Sequence, residues 1–175
     1  MTLVNRSKRA DATNLAVTVR AIDRLGRSVA SDTNYISLIP AGGSFNLAGS
    51  MSPNVSLNAT NLKVKVREGR SVPRSIGHRL PEVTNVTLHE SLGFADIYAT
   101  LTNRSSKPLS QYAPVYVLYL DDEGRVISSS FDTTGATVRP HASVRLHLQE
   151  FYDGSQHPAA ARVSVDACTS VDVGC

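Results

Sequence analysis

The stretch DRLGRSVAS at residues 23–31 returns in outline as DDEGRVISS at residues 121–129, and this return decides how the chain is read. Ahead of the first copy, Val17, Val19 and Ala21 alternate with Thr18 and Arg20, the two-residue period of a half-buried strand. Asp at the first position of the following turn can fold its carboxylate onto the backbone, and Gly three residues later accepts the positive φ that ends a hairpin loop. Asp23 and Gly26 fill those positions in the first copy, Asp121 and Gly124 in the second. The repeated motif is a β-hairpin.

Working outward, the offset that carries Gly26 onto Gly124 also carries VNRS at residues 4–7 onto TNRS at 102–105, and Val17 and Val19 onto Val115 and Val117. Pro40 pairs with Pro140 after a two-residue slip, and LKVKV at 62–66 meets ARVSV at 161–165 one residue out of the first register. An ordered series of this kind reads as a tandem duplication. No segment carries sustained helical periodicity with caps. Short strands with regularly spaced turns predict an all-β chain of two tandem antiparallel sandwiches of immunoglobulin-like type. The expected division is a first repeat at 1–72, a linker at 73–81 and a second repeat at 82–175. Ahead of TNRS the second repeat has sequence for two strands, whereas only Met1, Thr2 and Leu3 precede VNRS. The first repeat is therefore expected to lack its opening strand, through truncation or because another chain completes the edge.

Composition bounds the function. With 41% hydrophobic residues the chain is expected to fold, and units this small bury limited cores, so mutual or partner support is expected. The formal charge is +3, and the densest basic run, REGRSVPRSIGHR at 67–79, has no aromatic residue to stack on a base. Nucleic-acid binding is not expected. The longest apolar run, YAPVYVLYL at 112–120, is far short of the roughly 20 residues a membrane-spanning helix needs, and the N-terminus has no apolar signal core.

The Asn-Arg-Ser strand end, the apolar strand closing in Asp-x-x-Gly-Arg and the Pro-containing loop together resemble the bacterial FxLYD-type β-sandwich domains. At that family's Phe, Leu and Tyr positions stand Val117, Tyr119 and Leu120 in the second repeat and Val19, Ala21 and Ile22 in the first. The resemblance implies an extracytoplasmic, repeated, envelope-attached module with no catalytic residues.

Sites of chemistry are sparse. There is no nucleophile elbow, no Walker loop and no dinucleotide fingerprint; AGGS at 41–44 is a glycine turn. His141 and His147, six apart, would share a strand face but have no third ligand. Asp121, Asp122 and Glu123 suggest calcium, yet the first copy reads Asp23, Arg24, Leu25, so turn chemistry explains what the two share. No cofactor or metal is expected. Cys168 and Cys175 could close a small terminal disulfide loop in an oxidising compartment, or stay free in the cytosol. The sequons at Asn5, Asn54, Asn58, Asn85 and Asn103 would matter only in a eukaryotic secretory route, and the Arg-rich, Ala/Val-rich composition reads as bacterial.

One asymmetry separates the copies. The outward row Thr18, Arg20 and Ile22 becomes Tyr116, Leu118 and Leu120. Such a row is either covered by the first repeat or by the strands from Val83 onward, or it is a docking face with Tyr112 at its rim. Lys63, Lys65 and Arg67 alternate on one strand as a basic stripe. The sequence thus predicts a non-catalytic, extracytoplasmic spacer or protein-interaction module, partnered by a protein or envelope component. A module binding an envelope glycan or anionic polymer is the alternative and a hydrolase the third; a cytoplasmic location is the alternative to export.

Overall fold

The computed structural model describes residues 1–49, 59–67, 69–74, 79–91, 94–151 and 157–167. Cys168 and Cys175 lie outside them, as does part of the expected linker. The chain is all-β and built from antiparallel sheets. The first half contains β1 (Thr2–Val4), β2 (Ala10–Asp23), β3 (Ser28–Ile39), β4 (Ser44–Asn46), β5 (Ala59–Arg67) and β6 (Arg70–Pro73). The second contains β7 (Glu82–Ser91), β8 (Phe94–Thr102), β9 (Pro114–Leu120), β10 (Val126–Thr133), β11 (Ser143–Phe151) and β12 (Ala160–Val165). Strand β2 pairs with β3 on one side and with β5 and then β6 on the other, while β1 and β4 form a separate short pair. In the second half the sheets run β10-β9-β12 and β11-β8-β7.

The long strand β2 changes partner in its middle. Ala16 to Asp23 pair with β5, and Ala10 to Thr13 pair with β6. Between them Asn14 takes φ 52, and Gly69 comes so close that a Cβ there would lie 2.5 Å from the Asn14 carbonyl oxygen. Only glycine fits that approach.

Both hairpin turns are built as their sequence predicts. Asp23 Oδ1 accepts from the N–H groups of Leu25 and Arg27, and its Oδ2 from Arg27 Nε at 2.8 Å. Asp121 does the same with Glu123, Arg125 and Arg125 Nε at 2.7 Å. Gly26 and Gly124 close the turns at φ 79 and 75. Backbone donation from Arg27 is the main cause holding the Asp23 carboxyl below its ordinary range, and the Arg125 side chain is the main cause at Asp121. Asp121 is thus engaged by its own turn.

The two halves also share registers. Leu3 stands opposite Phe45 as Leu101 stands opposite Val144. Val17 lies between Asn34 and Val66, as Val115 lies between Asp132 and Val165. The Asn of each Asn-Arg-Ser motif clamps a loop: Asn5 Nδ2 donates to the carbonyls of Ala10 and Ile39, Asn103 Nδ2 to those of Lys107 and Val138. The proline match needs correcting. Gly43 N–H donates to the Pro40 carbonyl and Ala142 N–H to that of Arg139, with Gly42 and His141 at positive φ in corresponding places. Pro40 therefore corresponds to Arg139, and the slip is one residue. Pro140 occupies the next turn position, where its fixed φ suits the turn.

Two apolar clusters form the core. One joins Ile97 and Leu101 of β8, Leu146 and Leu148 of β11 and Val165 of β12 to Val115, Val117 and Tyr119 of β9. The other joins Leu15, Val17 and Val19 of β2, Ile36 of β3 and Phe45 of β4 to Tyr116 and Leu118, which belong to the opposite face of β9. Strand β9 is a shared central layer, buried on both faces.

Candidate interaction surfaces

The outward row of β9 is closed within the chain. Tyr116 and Leu118 sit in the first-half cluster and Leu120 is buried too, so these three are not a free docking face. Tyr116 meets Phe45 edge-on at 5.5 Å and Phe131 at 5.4 Å. Burial, with Asp166 and Asp32 nearby, pushes its hydroxyl pKa well above the ordinary tyrosine range. Tyr112 alone of the expected face is exposed, at 63%, in the turn before β9.

A polar clamp joins the halves beside this row. Asp166, 2% exposed just after β12, accepts from Ser37 N–H at 2.9 Å and from the Ser37 hydroxyl at 3.1 Å, both on β3. Ala167 N–H donates to it at 2.8 Å. Burial pushes the Asp166 pKa up to about 6, against the opposing pull of these donors. Nothing in the sequence marks this residue, because its counterpart in the repeat register is Arg67, a surface cation.

The open surface lies at β5. Leu62, Val64 and Val66 are 60%, 49% and 47% exposed, although their β2 neighbours Ala21, Val19 and Val17 are buried. On the other face of the same strand Lys63, Lys65 and Arg67 form the expected basic stripe, exposed, with Arg20 beside Lys63. Both faces of β5 are therefore open. In the second half the corresponding residues of β12, namely Ala161, Val163 and Val165, pack into the core, with β7 lying against them. A second mismatch runs parallel. Arg104 Nε donates to Glu82 of β7 at 2.8 Å, whereas Arg6, at the same place in the first Asn-Arg-Ser motif, is exposed.

The outer face of sheet β11-β8-β7 carries a groove of about 550 Å³, lined by the polar residues Asn85, Thr87, Thr100, Ser143 and Arg145 together with Tyr98, Ala99 and Val144. Asn85 sits at φ 54 where the β7–β8 register shifts. Tyr98 stacks on His147 at 4.6 Å and 2°, Arg145 lies 5.6 Å from its centroid, and Asp96 Oδ1 is 2.9 Å from His147 Nε2. The sequence reading missed this face because its members come from three strands. His141 is not among them. It occupies the turn before β11, so its six-residue spacing from His147 does not put the two on one strand face. Among the described residues no group of three His, Cys, Asp or Glu could hold a metal ion, and no helix is long and apolar enough to cross a membrane.

No protein-family model and no curated protein matches the chain. Among solved structures it is similar to the crystal structure of red sea bream transglutaminase, with 16% identity and a TM-score of 0.31. That likeness covers 96% of this chain and 26% of the transglutaminase chain, and at this TM-score it carries no argument about chemistry.

Proposed function

We propose that the chain is a duplicated pair of immunoglobulin-like β-sandwich units of the FxLYD type, divided near residues 73–81, that serves as a non-catalytic protein-interaction module outside a bacterial cytoplasm. Recurrence of the Asp-x-x-Gly-Arg turn, the Asn clamp and the strand registers supports duplication. The observation that carries the interaction role is the exposed row Leu62, Val64 and Val66 on an outer strand. An apolar row on a sheet edge invites a further chain. A photo-crosslinking residue at Val64, in the protein expressed in its own cells, is expected to capture one discrete polypeptide. The same residue at exposed Tyr35 on β3 should capture none. Equal labelling from both positions would remove the proposal.

The groove around Tyr98 favours a second reading, a module for an anionic glycan. Asn85, Thr87, Thr100 and Ser143 offer neutral hydrogen-bonding groups to hydroxyls, and Arg145 offers a cation to a carboxylate or sulfate. Titration with acidic and neutral oligosaccharides, with Arg145→Ala as control, distinguishes this role from protein binding.

A further inference from the structure

We infer that the groove on the outer face of sheet β11-β8-β7 takes a sugar residue bearing one carboxylate, with Arg145 as the receiving cation, held in place by Tyr98 and His147. The inference rests on the glycan reading above and names the ligand class for that groove. Among the described residues Arg145 is the one charged side chain lining it; it is exposed and forms no ion pair with any of them. The carboxylates on the same sheet face are engaged elsewhere. Asp96 Oδ1 lies 2.9 Å from His147 Nε2 and accepts from Gln149 Nε2 at 3.2 Å, and Glu82 accepts from Arg104 Nε at 2.8 Å. The groove therefore carries a positive charge with no counter-charge beside it. The matching register places of the β1–β4 pair differ. There Thr2 stands opposite Asn46, as Thr100 stands opposite Arg145, and Thr2 Oγ1 closes the pair by donating to Asn46 Oδ1 at 2.8 Å.

The cation is ordered by a stack. Tyr98 lies flat against His147 at 4.6 Å, and the Arg145 guanidinium carbon is 5.6 Å from the Tyr98 centroid. A guanidinium ordered in this way offers its planar fork to a planar carboxylate through two parallel hydrogen bonds. One cation matches one charge per sugar ring, whereas a polysulfated chain calls for a basic cluster. The side chains of Asn85, Thr87 and Thr100 make no hydrogen bond to any described residue, and Ser143 shares its hydroxyl with Thr102 at 2.8 Å. These neutral groups suit the hydroxyls of a sugar. The volume of about 550 Å³ falls within the range of about 300–1,000 Å³ usual for small-ligand sites. Strand β8 beneath is paired with β11 on one edge and β7 on the other, so a peptide strand finds no main-chain edge to join there.

The test is isothermal titration calorimetry of the intact chain with tri-galacturonate, its neutral methyl ester and a sulfated galactose trisaccharide. Tri-galacturonate is expected to saturate one site, and the other two should bind about tenfold more weakly. Arg145→Ala should weaken tri-galacturonate binding by about tenfold to a hundredfold. Arg145→Lys keeps the charge without the fork and should weaken it by about tenfold. Both variants replace an exposed side chain, so the fold stays intact. His147→Ala should weaken binding by about threefold to tenfold, and His147→Phe, which keeps the stacked ring, should return it to within about twofold of wild type. Equal or tighter binding of the sulfated trisaccharide overturns the inference and leaves the anionic-glycan reading standing. Tri-galacturonate binding indifferent to Arg145→Ala overturns it too. Binding of none of the three sugars removes both the inference and that reading. An oligoglutamate peptide that competes with tri-galacturonate at equal affinity would make the occupant a polypeptide and would likewise overturn it.

Discussion

Tyr116→Ala is expected to destabilise the entire chain by about 3–5 kcal/mol, the range for truncating a buried aromatic side chain. The residue belongs to the second half by sequence, yet its ring is 2% exposed and packs with Phe45 and the β2–β3 core of the first. Truncation opens a cavity against both halves at once. Denaturant unfolding followed by far-UV circular dichroism should keep one transition, moved to lower denaturant. Val64→Ala, on the exposed face of β5, provides the contrast and should move it by no more than about 0.5 kcal/mol.

The second large effect belongs to Asp166. Asp166→Ala leaves the buried-side donors of Ser37 and Ala167 without their acceptor, at about 1–3 kcal/mol for each group that water does not recover. Its titration also gives a pH signature. The folded pKa is raised from the ordinary 3.8 to about 6, so the native state holds this proton more tightly than the unfolded chain does. Its contribution therefore favours the fold at acid pH and is lost as pH rises from about 4 to about 6. Asp23 and Asp121 act in the opposite sense. Their lowered pKa values stabilise the fold above the ordinary carboxylate range, and that stabilisation disappears on further acidification. Thermal melts of wild type and Asp166→Asn between pH 2 and 7 separate the two, since the variant should lose the Asp166 part of the decline between about pH 4 and 6 while keeping the loss below about pH 4.

The turns were fully legible in the sequence because Asp-x-x-Gly-Arg is a local device: every bond it makes lies within five residues. The alternation of Val115 and Val117 with Tyr116 and Leu118 showed that β9 had apolar side chains on both faces, and left open whether the chain or a partner covered the outer one. What closes it is a contact between β9 and the β2–β3 core, remote in sequence and dependent on how the sheets stack. Asp166 left no trace, since a single carboxylate acquires its role only from Ser37, on a strand of the other half. Proline at 40 and 140 misled the alignment by one residue because the two turns put it in adjacent positions. The Tyr98 face was invisible for a similar reason: Thr87, Tyr98 and His147 become neighbours only through the β7–β8 and β8–β11 registers.

The central claim is that the core of the first half is closed by the second half. Hydrogen–deuterium exchange of residues 1–74 alone, set against the full chain, tests it most directly. The account predicts that amides of β2 and β3, Val17 and Ile36 among them, are protected in the full chain and exchange like an unfolded chain in the isolated half. Protection of those amides in the isolated half equal to that in the full chain would contradict it.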